Sequence, residues 1–170
     1  MTHWGEKSYV DELSTYIKKR PLALWNHFMY ANTISSDFDI TKFPAHFSSC
    51  DISTSWRPGV TKESVINTIE CCDYTFMSDE VCGGEHGWDF LQATNIAIVH
   101  DAEGSRAIAL GKTLAVVRHP KENFVFTMGA GDKFAGFTIE GLAKGWSIKS
   151  SIEFGHEQTI KWLREINEKV

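Results

Sequence analysis

The 170-residue sequence predicts an α/β fold with a mostly parallel sheet. Short runs rich in β-branched and aromatic residues alternate with stretches whose apolar residues recur every three or four positions, and parallel strands need such crossover connections. Two of the early runs end in polar or acidic residues, where strands of an open α/β sheet border a ligand crevice. Residues 125–145 then read as a strand, a glycine turn and a helix in succession.

Taken in order, Val10, Leu13 and Ile17 lie at helical spacing, and Lys18-Lys19-Arg20 before Pro21 gives that helix a basic last turn and a stop. Leu22 to Tyr30 is apolar and aromatic, and periodicity leaves a buried strand and a short helix both open. Ala31 to Pro44 reads as a connection with one short helical turn. His46 to Ser53 reads as a strand carrying Asp51 near its end, followed by a loop through Trp56-Arg57-Pro58-Gly59. Asp51 either faces the crevice or acts locally, capping a loop or pairing with Arg57. Thr61 opens a helix through Val65, Ile66 and Ile69, and Asp73 to Ser78 is the next strand.

A flexible stretch at Cys82–Gly87 and a short helix from Trp88 follow. Asn95–His100, Arg106–Gly111 and Leu114–Arg118 are three more short apolar runs. Val125 and Phe126 read as the end of a strand; Phe134, Phe137 and Leu142 predict a helix that Gly145 stops. Ile160, Leu163 and Ile166 predict a terminal helix.

The chemistry concentrates at Thr127-Met128-Gly129-Ala130-Gly131-Asp132. Small residues at a helix start let backbone N–H groups face outward at the positive end of the helix dipole, where they hold a phosphate or a developing phosphoryl charge. Asp132 beside such a site suits a base that takes a proton from an attacking hydroxyl. The local alternative is a tight turn with Asp132 as N-cap.

Composition narrows the classes. With 17 basic and 22 acidic residues the net charge is −5, and without a basic run nucleic acid is not an expected partner. No apolar run approaches the ~20 residues that span a bilayer, so no membrane partner is expected. The first residues lack the pattern of a signal peptide, and a cytoplasmic location is the expectation. Cys50, Cys71, Cys72 and Cys82 have no framework spacing and read as reduced thiols. No metal ligand is assigned.

With Phe137 and Gly145-Trp146-Ser147-Ile148 added, the glycine segment resembles the C-terminal signature of the ribokinase-like (PfkB) carbohydrate kinases. Its Thr-Met-Gly-Ala-Gly-Asp form, with Asp51-Ile52-Ser53 and Trp56, is similar to the fructoselysine (fructosamine) 6-kinases. The resemblance implies a three-layer α/β/α fold, here as the C-terminal half, with residues 1–170 forming one domain without the N-terminal lid and sugar-binding half. It also implies ATP and Mg2+ as cofactors and a sugar or sugar-amine as substrate.

By position, Asp132 inherits the base and Gly129, Ala130 and Gly131 the anion hole. Thr127, Gly111 and Lys112 fall on the nucleotide side, where Lys112 is either a phosphate-facing charge or a solvated turn lysine. His156 is an adenine-side residue or a packing histidine, and Asp51 a substrate contact. Phe126 stands where the family has an aspartate. An exposed sheet edge implies a homo-oligomer or a covering partner. The alternative to a kinase is a non-catalytic scaffold that keeps the fold.

Overall fold

The structure, a computed structural model, describes residues 22–34 and 38–168. The helix expected at Val10–Arg20 lies outside them. Six strands form one sheet in the order β1 to β6: β1 (Ala23–Phe28), β2 (Ala45–Ile52), β3 (Tyr74–Ser78), β4 (Ile96–Asp101), β5 (Gly104–Ala109) and β6 (Lys112–Arg118). The first four are parallel, and β5 and β6 return as an antiparallel meander. Leu22–Tyr30 is therefore resolved as a strand.

The strand order explains the layers. Each parallel step moves the same way across the sheet, and right-handed crossovers then put every connection on one face. That face receives two 3₁₀ turns, α1 (Lys62–Glu70), α2 (Asp79–Cys82) and α3 (Gly87–Ala93). It buries Cys50, Ile52, Met77, Ala97 and Val99 against Val65, Ile69 and Phe90. The opposite face is left for α4 (Ala130–Ala143) and α5 (Ile148–Asn167), which cover Phe76, Ile98, Ala107 and Val117 with Phe134, Ala135 and Ile152. The result is the expected three-layer α/β/α arrangement.

Local chemistry sets the ends of these elements. Thr61 accepts from the Ser64 N–H at the start of α1, and Ser147 does the same for Ser150 at the start of α5. Gly145, at φ 79°, ends α4: its N–H reaches the Leu142 carbonyl while the Trp146 N–H reaches that of Gly141. The two long helices approach closely through small residues. A Cβ on Gly155 would meet Thr138 Oγ1 at 2.2 Å, and one on Gly141 would meet Ser151 Oγ at 2.9 Å.

One expected strand end is corrected. Val125 and Phe126 are not in a strand but in the connection from β6 to α4. Their N–H groups both donate to Asn167 Oδ1, at 3.0 and 2.9 Å, and Asn167 Nδ2 donates to the Phe126 carbonyl. A side-chain amide on α5 has taken the place of a neighbouring strand, satisfying backbone groups that extended residues must pair.

Candidate active site

The parallel strands all end at the same edge of the sheet, and the α4 N-terminus meets them there. This edge collects Tyr30 after β1, Asp51 on β2, Ser78 on β3, His100 and Asp101 on β4, and the connection leaving β6. A cavity of about 340 Å³ lies between that edge and the two long helices. Its walls include His100, Ala102, His119, Phe124, Phe134 and His156, with Thr127, Ala130 and Gly131 at the helix end. The volume is near the lower bound of roughly 300–1,000 Å³ usual for small-molecule sites.

Gly129 is the N-cap of α4, with φ 82° and ψ 3°, a left-handed conformation that glycine adopts without steric cost. Asp132 sits in the first helical turn and makes no cap hydrogen bond, so the N-cap alternative does not describe it. The amides divide unequally. Ala130 spends its N–H on the Thr127 carbonyl at 3.0 Å. Among the described residues, the N–H groups of Gly129, Gly131 and Asp132 have no backbone acceptor. A Cβ on Gly131 would lie 3.4 Å from His100 Cε1, an ordinary contact distance across the space between helix end and β4.

Asp132 Oδ1 accepts a 2.7 Å hydrogen bond from the Tyr30 hydroxyl. Tyr30 also links to Asp51, whose Oδ1 accepts the Tyr30 backbone N–H. Asp51 Oδ2 lies 3.8 Å from His27 Nε2, and Arg57 is not among the partners found in the described residues. The pairing with Arg57 is thus replaced by contacts to β1, the neighbouring parallel strand. The Asp132 hydrogen bond, then burial, push the Tyr30 phenol up to about 12.

Imidazoles form the other wall. Burial pushes His100 down to about 4, against the upward pull of Asp51, Asp101 and Asp132. His156 is buried, with Nε2 2.7 Å from Ser105 Oγ and Nδ1 3.0 Å from His119 Nε2. Burial, with His119 and His100 nearby, pushes it down to about 3. It is therefore a packed, neutral ring that also borders the cavity.

Thr127, Ala130, Gly131 and His156 line the cavity, Gly129 and Asp132 lie beside them at the α4 start but outside its lining, and Tyr30 links Asp132 to Asp51. Gly111 and Lys112 do not belong there, which corrects the nucleotide-side expectation. Gly111 lies in the β5–β6 turn and Lys112 opens β6, paired with Ala109, whereas the pair Asp101–Gly104 marks the edge that carries the cavity. β5 runs back down the sheet, so its far end is remote from the site. The turn that does border the cavity is Asp101-Ala102, between β4 and β5. Sequence reasoning missed Tyr30, His100 and His119 as site residues; Tyr30 and His119 follow β1 and β6, His100 is the next-to-last residue of β4, and that position at a strand end is the available signal.

Residues 88–158, from α3 into α5, match the model of the pfkB family carbohydrate kinases. That stretch, less than half of the chain, is similar to the pfkB family. The chain is 38% identical over 69 residues to a 5-dehydro-2-deoxygluconokinase of Geobacillus thermodenitrificans (strain NG80-2), covering 40% of this chain and 20% of that one. Among solved structures, an aminoimidazole riboside kinase from Salmonella enterica superposes with a TM-score of 0.68 at 18% identity, covering 96% of this chain and 63% of its own. The same enzyme complexed with aminoimidazole riboside and an ATP analog gives 0.62 at 18% identity, over 80% and 55%. A pyrophosphate-dependent kinase in the ribokinase family, complexed with a pyrophosphate analog and myo-inositol, gives 0.64 at 13% identity, over 89% and 61%. The fold is ribokinase-like, and the chain spans a fifth of the pfkB relative it matches and little more than half of these structures. Among the described residues, no helix is long and apolar enough to cross a membrane.

Proposed function

We propose that this chain provides the phosphoryl-transfer end of an ATP-dependent kinase acting on a hydroxyl of a sugar or sugar-amine. Asp132 is the base, and the Gly129–Gly131 turn is the anion hole. The observation that carries this reading is the α4 start: open N–H groups at Gly131 and Asp132 beside a carboxylate that is not spent as a helix cap. Held there, a γ-phosphoryl group has its developing charge met by fixed dipoles, and the attacking hydroxyl has its proton acceptor one residue away.

The cavity suits the rest of a nucleoside triphosphate. Its imidazole and phenylalanine walls fit a planar base. Mg2+, when bound with the triphosphate, supplies charge neutralisation on the phosphates. Among the described residues no three His, Cys, Asp or Glu side chains converge on a metal position, so phosphate oxygens and water would make up most of its shell.

A coupled ADP-release assay over a panel of sugars and fructosamines, alongside calorimetric titration with ATP, tests this. Asp132→Asn is expected to lower turnover by about 10²–10⁴-fold, with nucleotide affinity unchanged. The non-catalytic scaffold is favoured by one observation, the removal of Lys112 from the phosphate side. Absence of ATP binding at millimolar concentration would decide for it.

A further inference from the structure

Catalysis by Asp132 requires a hydroxyl held within hydrogen-bond reach of its carboxylate. The protein already has one there. Among the described residues, the hydroxyl that donates to Asp132 is that of Tyr30, at 2.7 Å. It is not a loose surface group. Tyr30 has φ 59° and ψ 70°, a left-handed conformation that is sterically unfavourable for a residue with a Cβ. The surroundings hold it in place at both ends of its backbone. Its carbonyl accepts from the Thr33 N–H at 2.7 Å and from Thr33 Oγ1 at 2.9 Å, and its N–H donates to Asp51. Strain of this kind persists where neighbours over-determine a position, and it recurs at functional sites.

We propose that Tyr30 is a phosphoryl acceptor: the chain transfers the γ-phosphoryl group of a bound nucleoside triphosphate to its own Tyr30 hydroxyl. The inference rests on the reading of Asp132 and the α4 turn as a phosphoryl-transfer centre. The Asp132 carboxylate takes the proton from Tyr30 Oη as that oxygen forms a bond to the γ-phosphorus. The bond from the γ-phosphorus to the bridging oxygen breaks, and the nucleoside diphosphate leaves with that electron pair. Neither oxidant nor reductant is needed. The phenol keeps its proton near neutral pH, with its ionisation pushed up to about 12, so attack is coupled to proton removal by the carboxylate already bonded to it. A phosphotyrosine at this point would place a dianion against Asp132 and Asp51, breaking the bridge between β1 and α4 by like-charge repulsion.

The test uses the full 170-residue chain with Mg-ATP labelled in the γ-phosphoryl group, followed by intact-mass measurement and peptide mapping. The expected result is one phosphate on Tyr30, acquired at a rate independent of protein concentration. Tyr30→Phe should remove the label. Because that variant also loses the bridging hydrogen bond, Asp132→Asn serves as the second arm: the phenol is kept, and labelling should fall at least about 100-fold. A readout without nucleotide accompanies these. The ¹³Cζ resonance of Tyr30 at neutral pH should shift in Asp132→Asn, and an unmoved signal would overturn the contact and the proposal with it.

A chain that binds ATP calorimetrically yet stays unlabelled, or is labelled elsewhere, overturns the inference and leaves the proposed function standing. A labelling rate that rises with protein concentration shows transfer between chains and also overturns it. A chain that binds no ATP removes both.

Discussion

At Gly129 a single hydrogen atom in place of a side chain decides how α4 begins. With φ at 82°, an alanine there would carry its Cβ in a left-handed conformation. Gly129→Ala should lower stability by about 1 kcal/mol, read as an earlier urea midpoint with an unchanged slope. The identity of the small residues and of Asp132 was legible in the sequence, since spacing alone sets three small residues and a carboxylate at a helix start. The partners were not. The Thr127 carbonyl that takes the Ala130 amide is a local turn detail. The phenol on Asp132 arrives from 102 positions away in the chain and depends on a backbone conformation at residue 30 that tyrosine seldom adopts.

Among elements, the connection 119–129 is the one whose conformation is held by side chains. Asn167 ties Val125 and Phe126, and Arg164 grips Glu122 with Nε 2.9 Å from Oε2. Since Phe124 and Thr127 on this connection line the cavity, Arg164 and Asn167 in the last turn of α5 act on its wall without lining it themselves. Asn167→Ala should leave far-UV circular dichroism unchanged. Proteolytic cleavage within 119–129 should become faster and ATP binding weaker, because three hydrogen bonds to the connection are lost together. Strands backed by period and β-branched residues were recoverable from sequence, as was each helix with a cap residue and an apolar stripe. Val125-Phe126 was misread because an extended backbone completed by an amide side chain and one completed by a neighbouring strand look alike in sequence.

For the molecule as a whole, two neutral histidines, His156 buried and His100 half-buried, couple folding to acidity. His100 and His156 ionise at about 4 and about 3 in the folded chain, against about 6.5 unfolded. Between those limits the unfolded chain binds more protons, so the contribution of these two groups to stability is fully present above about pH 6.5 and declines as pH falls below it. Each group contributes at most about 1.4 kcal/mol per pH unit. Urea midpoints at pH 7 and pH 5 should therefore differ, and His156→Gln should reduce the difference. The sheet direction decides the misplaced pair Gly111-Lys112. Apolar runs reveal that strands exist, but not that β5 descends after three crossovers have all ascended. That descent leaves Leu110, 93% exposed, on a short hairpin at the sheet's other rim. A fluorophore or affinity handle attached at this tip would report on the protein without crowding the cavity, which makes it the place to anchor the chain for single-molecule work.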